Sequence, residues 1–327
     1  MSVLTKKTKH KASGDHYIPS RDKVLIGGLP VDEDELSAAK TKAGRLQRGC
    51  LQLLSEHERA STISTNGRFL FYELVQRGVI EKAYHYPDGS KKPRQPKDDI
   101  SDALMHLRER GIIPWWWIDD ETREVCNWRY ARNAKQYLID TLSVIRIDCW
   151  DGELPLLVIC ESRATKGVLE YIASSYLVPI TATNGQCGGF LVTDIVPLLK
   201  GNDRRVLYIG DFELRGPADQ IEANTRRYLE KHAGREFTEE TWTKIALTEA
   251  QVEADPALLE LKIDKLDRRY KPPKPYEAVE CEAAGQARLE EIFRAALDAL
   301  LPKPLVSVLS REKRQRAEVR RLLGAQS

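Results

Sequence analysis

LPLLVICES (residues 154–162) and RVLYIGDFELRG (residues 205–216) decide how this chain is read. The first is an unbroken apolar run from Leu154 to Cys160 that ends on an acid. Continuous rather than alternating apolarity marks a strand buried on both faces, as in a parallel sheet. Between the two segments, residues 167–177 read as a helix, 178–182 as a second strand and 188–200 as a second helix. The third strand is 205–210, after which Gly216 and Pro217 open a helix that keeps Ile221, Thr225, Tyr228, Leu229 and His232 on one face. Strands alternating with helices predict an open α/β sheet with right-handed crossovers.

Upstream, the period changes. Leu36, Ala39, Ala43, Leu46, Cys50 and Leu53 recur at spacings of three and four, which predicts a helix from Asp32 onward. A second helix is expected over 65–76, stopping at Gly78, and a third from 98–101 to Gly111. Residues 112–118, with Trp115, Trp116 and Trp117, read as a strand. Helix, helix and strand pair in that order give a winged helix-turn-helix, with a further helix over 129–144. The expected organisation is a basic arm (1–30), a winged-helix domain (31–150), an α/β domain (151–270), and a linker with a C-terminal helical segment (271–327). The linker is Lys271-Pro272-Pro273-Lys274-Pro275, and the closing helix runs over 277–301.

A length of 327 residues leaves room for about two domains. With 42% hydrophobic and 31% charged residues, the composition is that of a globular chain with a real core, which excludes a disordered one. The sequence contains no run of 18 apolar residues, and its N-terminus has no apolar signal core. Six cysteines scattered without a CxxC pair exclude a zinc ribbon and point to reduced thiols and a cytoplasmic location. The net charge of +2 conceals three basic patches. One contains Lys6, Lys7, Lys9 and Lys11, another Lys91, Lys92, Arg94 and Lys97, and the third spans 311–321. They are compatible with a polyanionic partner or with solvated faces.

In open α/β sheets, sites collect beyond the C-terminal strand ends. Those ends carry Glu161, the turn Asn184-Gly185-Gln186-Cys187-Gly188-Gly189, and Asp211-Phe212-Glu213. Glu161, Asp211 and Glu213 are oxygen donors suited to Mg²⁺. The turn, with Asn184, Gly185 and Gly188, offers backbone N–H groups ahead of a helix to a phosphate. No GxxxxGK[ST] or GxGxxG signature is present. Glu280 and Glu282 read as helix-capping acids. On the second helix, Leu70, Phe71, Leu74 and Val75 share one face. Tyr72 falls with Arg68 and Gln76 away from it, where Tyr72 could act on a phosphate or pack against a neighbour.

VICES, TNGQCGGFL and VLYIGDFELRG together resemble a Toprim domain, with its Glu after one strand and DxD after another. The nearest resemblance is to the topoisomerase VI A subunit and its meiotic double-strand-break relatives, in which a winged helix precedes the Toprim domain. The chain departs from the pattern at Glu213, where the family has Asp. Arg68-Phe69-Leu70-Phe71-Tyr72 is similar to the family's Arg-acid-Ile-aromatic-Tyr motif, with Phe69 in place of the acid. The resemblance implies a metal site at Glu161, Asp211 and Glu213, and a nucleophilic Tyr72 supported by Arg68. It also implies a homodimer in which each tyrosine meets the other chain's metal, and a separate ATPase subunit for strand passage.

The expected function is therefore Mg²⁺-dependent cleavage of double-stranded DNA. Cleavage would proceed by tyrosine transesterification or by metal-activated water, as in Toprim nucleases of bacterial defence systems. Lys91, Lys92, Arg94, Arg108 and Arg215 are the candidate DNA contacts. The alternative is a non-catalytic winged-helix DNA-binding protein with a degenerate Toprim domain.

Overall fold

The computed structural model describes residues 23–119, 133–141, 149–183 and 188–324. A hairpin opens the described chain, β1 (Lys23–Ile26) and β2 (Leu29–Asp32), turning at Gly27 and Gly28 with φ of +60° and +95°. A Cβ on Gly27 would come within 2.8 Å of the Ser55 Cβ, so both the turn and the close approach require glycine. The expected arm of residues 1–30 is thus corrected: its last residues pair as strands, and residues 1–22 lie outside the described set.

Helix α1 (Lys42–Arg59) starts later than its periodicity predicts, because the Thr41 side chain caps it by accepting from the Gly44 N–H at 3.0 Å. The preceding residues form only a short turn, Glu33–Glu35. Helices α2 (Gly67–Gln76) and α3 (Pro96–Glu109) pack with α1 around Leu46, Leu51, Leu54, Leu70, Leu74, Ile100 and Leu107.

The strand expected at 112–118 is not formed. Trp115–Trp117 is a 3-10 turn, and Ile118 makes an isolated bridge to Thr65. The carbonyls of Trp115 and Ile118 are taken by the Arg108 guanidinium, and Pro114 has no N–H to donate, which leaves the segment short of groups to extend that bridge into a strand. Any wing formed by residues 120–132 lies outside the described set. Helix α4 (Ala134–Thr141) covers the middle of the expected 129–144 helix.

Next comes the parallel sheet: β3 (Leu157–Cys160), α5 (Arg163–Ser175), β4 (Ile180–Ala182), α6 (Gly188–Phe190), a π-helical turn (Leu191–Ile195), α7 (Val196–Leu199) and β5 (Val206–Ile209). After β6 (Phe212–Leu214) and α8 (Ile221–Ala233), β7 (Trp242–Ala246) completes a four-stranded sheet of order β4-β3-β5-β7, all neighbours parallel. Both faces are covered. Val158, Cys160, Leu207 and Ile209 meet α5 and a C-terminal helix, whereas Leu157, Ile159, Val206 and Tyr208 meet Leu191, Leu199 and Leu229. This is the two-sided burial that the apolar run at 154–160 predicts.

The C-terminal part departs most from expectation. Two short helices, α9 (Glu249–Glu253) and α10 (Ala257–Glu260), lead to β8 (Ile263–Asp267) and β9 (Lys274–Val279). These strands form an antiparallel sheet of order β6-β9-β8. The Pro-rich segment expected to be a linker is therefore a hairpin connection. Pro275 sits where β9 has run past the end of β6, so its missing N–H breaks no pairing there. Instead of one helix from residue 277, α11 (Gln286–Leu300) and α12 (Leu305–Leu322) close the chain.

Candidate active centre

Strand β3 delivers Glu161 and strand β5 delivers Asp211, one residue beyond Gly210. Because β3 and β5 are hydrogen-bonded neighbours, their ends bring the two acids together, and the Asp211 N–H reaches the Glu161 Oε2 at 3.3 Å. Gly210 leaves the space for this approach: a Cβ there would stand 2.7 Å from the Glu161 Oε2 and 2.6 Å from the Tyr208 ring. Glu161 is buried and its other hydrogen bond, from the Tyr208 hydroxyl, is long at 3.4 Å. Burial, reinforced by the Asp211 charge, pushes the Glu161 carboxyl up to about 8.

Glu213 parts from this pair. The chain leaves the parallel sheet after β5, and β6 pairs Glu213 with Ala278 of β9. One Glu213 oxygen takes the Arg215 guanidinium at 2.6 Å and the other accepts from the Ile221 N–H. Burial raises its pKa against those two donors. The same Arg215 bridges to Asp267 at 2.6 Å and lies over the Tyr276 ring at 3.9 Å. Arg215 is thus an internal tie rather than a displayed phosphate contact.

Other groups complete the centre, and the sequence reading missed their role there. The alternation of β8 sets Ile263, Lys265 and Asp267 on one side. The Lys265 ammonium pairs with Asp211 and stands 3.7 Å from the Glu280 Oε1. Burial works against the Lys265 charge, but Asp211, Glu161 and Glu280 together outweigh it and hold the pKa above the ordinary lysine range. The second Asp211 oxygen accepts from the Cys281 N–H at 2.9 Å. Glu280 and Glu282, expected to cap a helix, instead follow β9 into the centre. The Arg68 guanidinium binds Glu280 at 2.5 Å and Glu282 at 3.3 Å. Glu282 is fully buried, and its Oε2 has no hydrogen-bond partner. Burial raises the Glu282 pKa, opposed by Arg68. A signal was available: Glu280 and Glu282 alternate at a strand end as Asp211 and Glu213 do.

Tyr72 is not on an open polar face. Helix α2 lies between two cores, with Leu70 and Leu74 in one and Phe69 and Tyr72 in the other. Tyr72 is 2% exposed and its hydroxyl donates to Glu280. Burial and the Glu280 charge push the phenol well above its ordinary range. Arg68, one turn earlier, keeps its side chain 41% exposed.

Arg68, Tyr72 and Glu280 form one wall of a cleft of about 1050 Å³ that also has Lys82, His85, Lys91, Lys97 and Lys262 along it. A neighbouring groove of about 820 Å³ shares Glu81 and His85 with it and carries Lys42, Arg45, Lys92 and Arg94. Lys91 and Lys92 thus face open grooves, whereas Arg94 is paired with Asp99 and Asp102. Arg108 is turned inward onto backbone carbonyls. Of the expected phosphate turn, Asn184 and Gly185 lie outside the described residues, and Gly188 begins α6.

As donors, Glu161 and Asp211 suit a hard divalent cation: they are adjacent carboxylates, Glu161 with only long hydrogen bonds and Asp211 with its oxygens on the Lys265 ammonium and the Cys281 N–H. Glu213 is committed instead to Arg215 and the Ile221 N–H. Among the described residues no three His, Cys, Asp or Glu side chains converge to hold a metal ion. Mg²⁺, which keeps several waters, needs only one or two carboxylates. Also among the described residues, no helix is long and apolar enough to cross a membrane. Compared with known proteins, the chain matches no family model, no curated protein and no solved structure.

Proposed function

We propose that this chain is a Mg²⁺-dependent DNA-cleaving protein of the topoisomerase VI A-like or Toprim type. The observation that carries the reading is the pair of buried acids, Glu161 and Asp211, at the ends of adjacent parallel strands, tied through Lys265 to Glu280, which lines a cleft with basic residues along it. These two residues would hold the ion, which when bound supplies Lewis-acid stabilisation of charge on a phosphate. Arg68, open to the cleft and fixed by Glu280 and Glu282, is placed to neutralise a phosphate oxygen. Double-stranded DNA as substrate, and a homodimer with a separate ATPase subunit as partners, come with the resemblance and belong to the same proposal.

Of the two chemistries, hydrolysis has the better support. A nucleophilic Tyr72 must lose its proton and reach phosphorus. Here it is buried, its hydroxyl is held by Glu280 and its pKa is raised. One observation favours the second reading, a DNA-binding module without chemistry: Lys265 already neutralises Asp211.

Supercoiled plasmid incubated with the protein and Mg²⁺, stopped with denaturant and split with and without protease, separates these readings. Wild type and Tyr72→Phe are expected to release free nicked or linear DNA, and Glu161→Ala none. DNA that stays protein-linked until proteolysis and requires Tyr72 would establish transesterification instead. Intact plasmid with binding retained would leave the binding module.

A further inference from the structure

Charges around the centre pair off from the outside inward. Glu213 and Asp267 are matched by Arg215 and Arg269, and Glu222 by Lys244 at 3.7 Å. Inside that ring stand four carboxylates, Glu161, Asp211, Glu280 and Glu282. Among the described residues the cations in contact with them are two, Arg68 and Lys265. Metal ligation requires carboxylates in their ionised form, and with all four ionised two negative charges remain, the charge of one divalent ion. Unsatisfied oxygens remain as well: the Glu282 Oε2 is buried without a partner, and Glu161 has only long hydrogen bonds.

We propose that Lys265 is the resident second cation of this centre, so that the chain takes up one divalent ion per site rather than two. The inference rests on the cleavage reading above. Phosphoryl-transfer centres commonly set two cations about the reacting phosphate, and a lysine ammonium is a compact point charge that can serve as one of them. Lys265 is well held for that role. Its strand is locked in register, with Lys265 opposite Tyr276 and Ile263 opposite Ala278, while Ala278 in turn pairs with Glu213. Its ammonium therefore bridges the strand-end acid Asp211 and the C-terminal acid Glu280, and its side chain is only 22% exposed. Lys265 acts through these carboxylates, as a positioning residue.

The test counts ions. Mn²⁺ is titrated calorimetrically into the full chain at pH 8, with free Mn²⁺ followed by electron paramagnetic resonance and folding checked by circular dichroism melts. Wild type is expected to bind one ion. In Lys265→Met the like-charged neighbour is gone, so the ion should be held about tenfold more tightly or better. Lys265→Arg, which keeps the charge, should stay near wild type. Two ions in the wild type, or an unchanged affinity in folded Lys265→Met, would overturn the proposal. If the wild type still cuts plasmid under those outcomes, this inference falls alone. If no ion binds and no cleavage occurs, the cleavage reading falls with it.

Discussion

Glu161 keeps its proton where most carboxylates have lost theirs, which gives the metal-free protein a definite pH signature. The folded pKa of about 8 lies above the ordinary 4.5. Below 4.5 the group is protonated in both folded and unfolded chains and costs nothing. Between 4.5 and 8 the unfolded chain ionises while the fold retains the proton, so this residue lowers stability as pH rises, by on the order of a few kcal/mol at the plateau. Glu161→Gln, neutral at every pH, should therefore stabilise the metal-free protein at pH 8.5 and do much less at pH 4.5. Urea unfolding of both proteins at the two pH values measures this. An equal difference at both would mean that Glu161 is not strained by its burial.

Among the elements, α2 carries the most consequences for the centre, because it holds Arg68 and Tyr72 and is itself held from outside. The Asn66 Oδ1 accepts from the N–H groups of Arg68 and Phe69 at 3.0 and 3.2 Å. Its Nδ2 donates to the Ala164 carbonyl in α5 at 3.1 Å. Asn66→Ala should cost about 2 kcal/mol: roughly 1 for the cap and about 1 for the lost buried hydrogen bond to α5. Thr41→Ala, which removes a cap whose other side-chain bond is only the exposed local one to the Ala38 carbonyl, should cost about 1 kcal/mol. Equal losses in urea denaturation would show that the bond to α5 contributes nothing.

The same elements show what the sequence could convey. The apolar run before Glu161 and the VLYI segment before Asp211 report two-sided burial directly, so the parallel sheet and its two strand-end acids were legible. The placement of Tyr72 was not. A helical wheel assumes one core, whereas α2 divides its apolar residues between two, and the side opposite Leu70 and Leu74 is buried as well. Lys265 and Glu280 were hidden for another reason. The prolines at 272, 273 and 275 read as a linker, yet a hairpin tolerates them, the first two in the connection and Pro275 where β9 outruns β6. The three tryptophans near 115 have the composition of a strand, but the Arg108 side chain takes the carbonyls that a ladder would use.

At the scale of the whole molecule, the helical unit and the sheet share α2 and are joined by side chains from the C-terminal part. The Gln286 amide donates to the Thr62 carbonyl at 2.8 Å and the Ser64 carbonyl at 3.1 Å, and the Gln76 amide donates to the Ala283 carbonyl at 2.8 Å. Unfolding should then be a single transition. Cys50 lies in the helical core and Cys160 in the sheet core, both fully buried. Thiol labelling read out by peptide mass mapping should unmask the two at the same urea concentration. Exposure of Cys50 at distinctly lower urea would mean that the helical unit opens independently.

The centre draws on Arg68, Glu161, Asp211, Lys265, Glu280 and Glu282, and the bond between Tyr72 and Glu280 spans 208 positions of chain. During synthesis, then, the chain has no finished acid cluster until Glu280 and Glu282 emerge, long after Glu161 and Asp211. An interrupted translation product would carry Glu161 and Asp211 without the strands and acids that complete their surroundings. On the proposed reading, the cutting centre would be assembled only after Glu282 has been made.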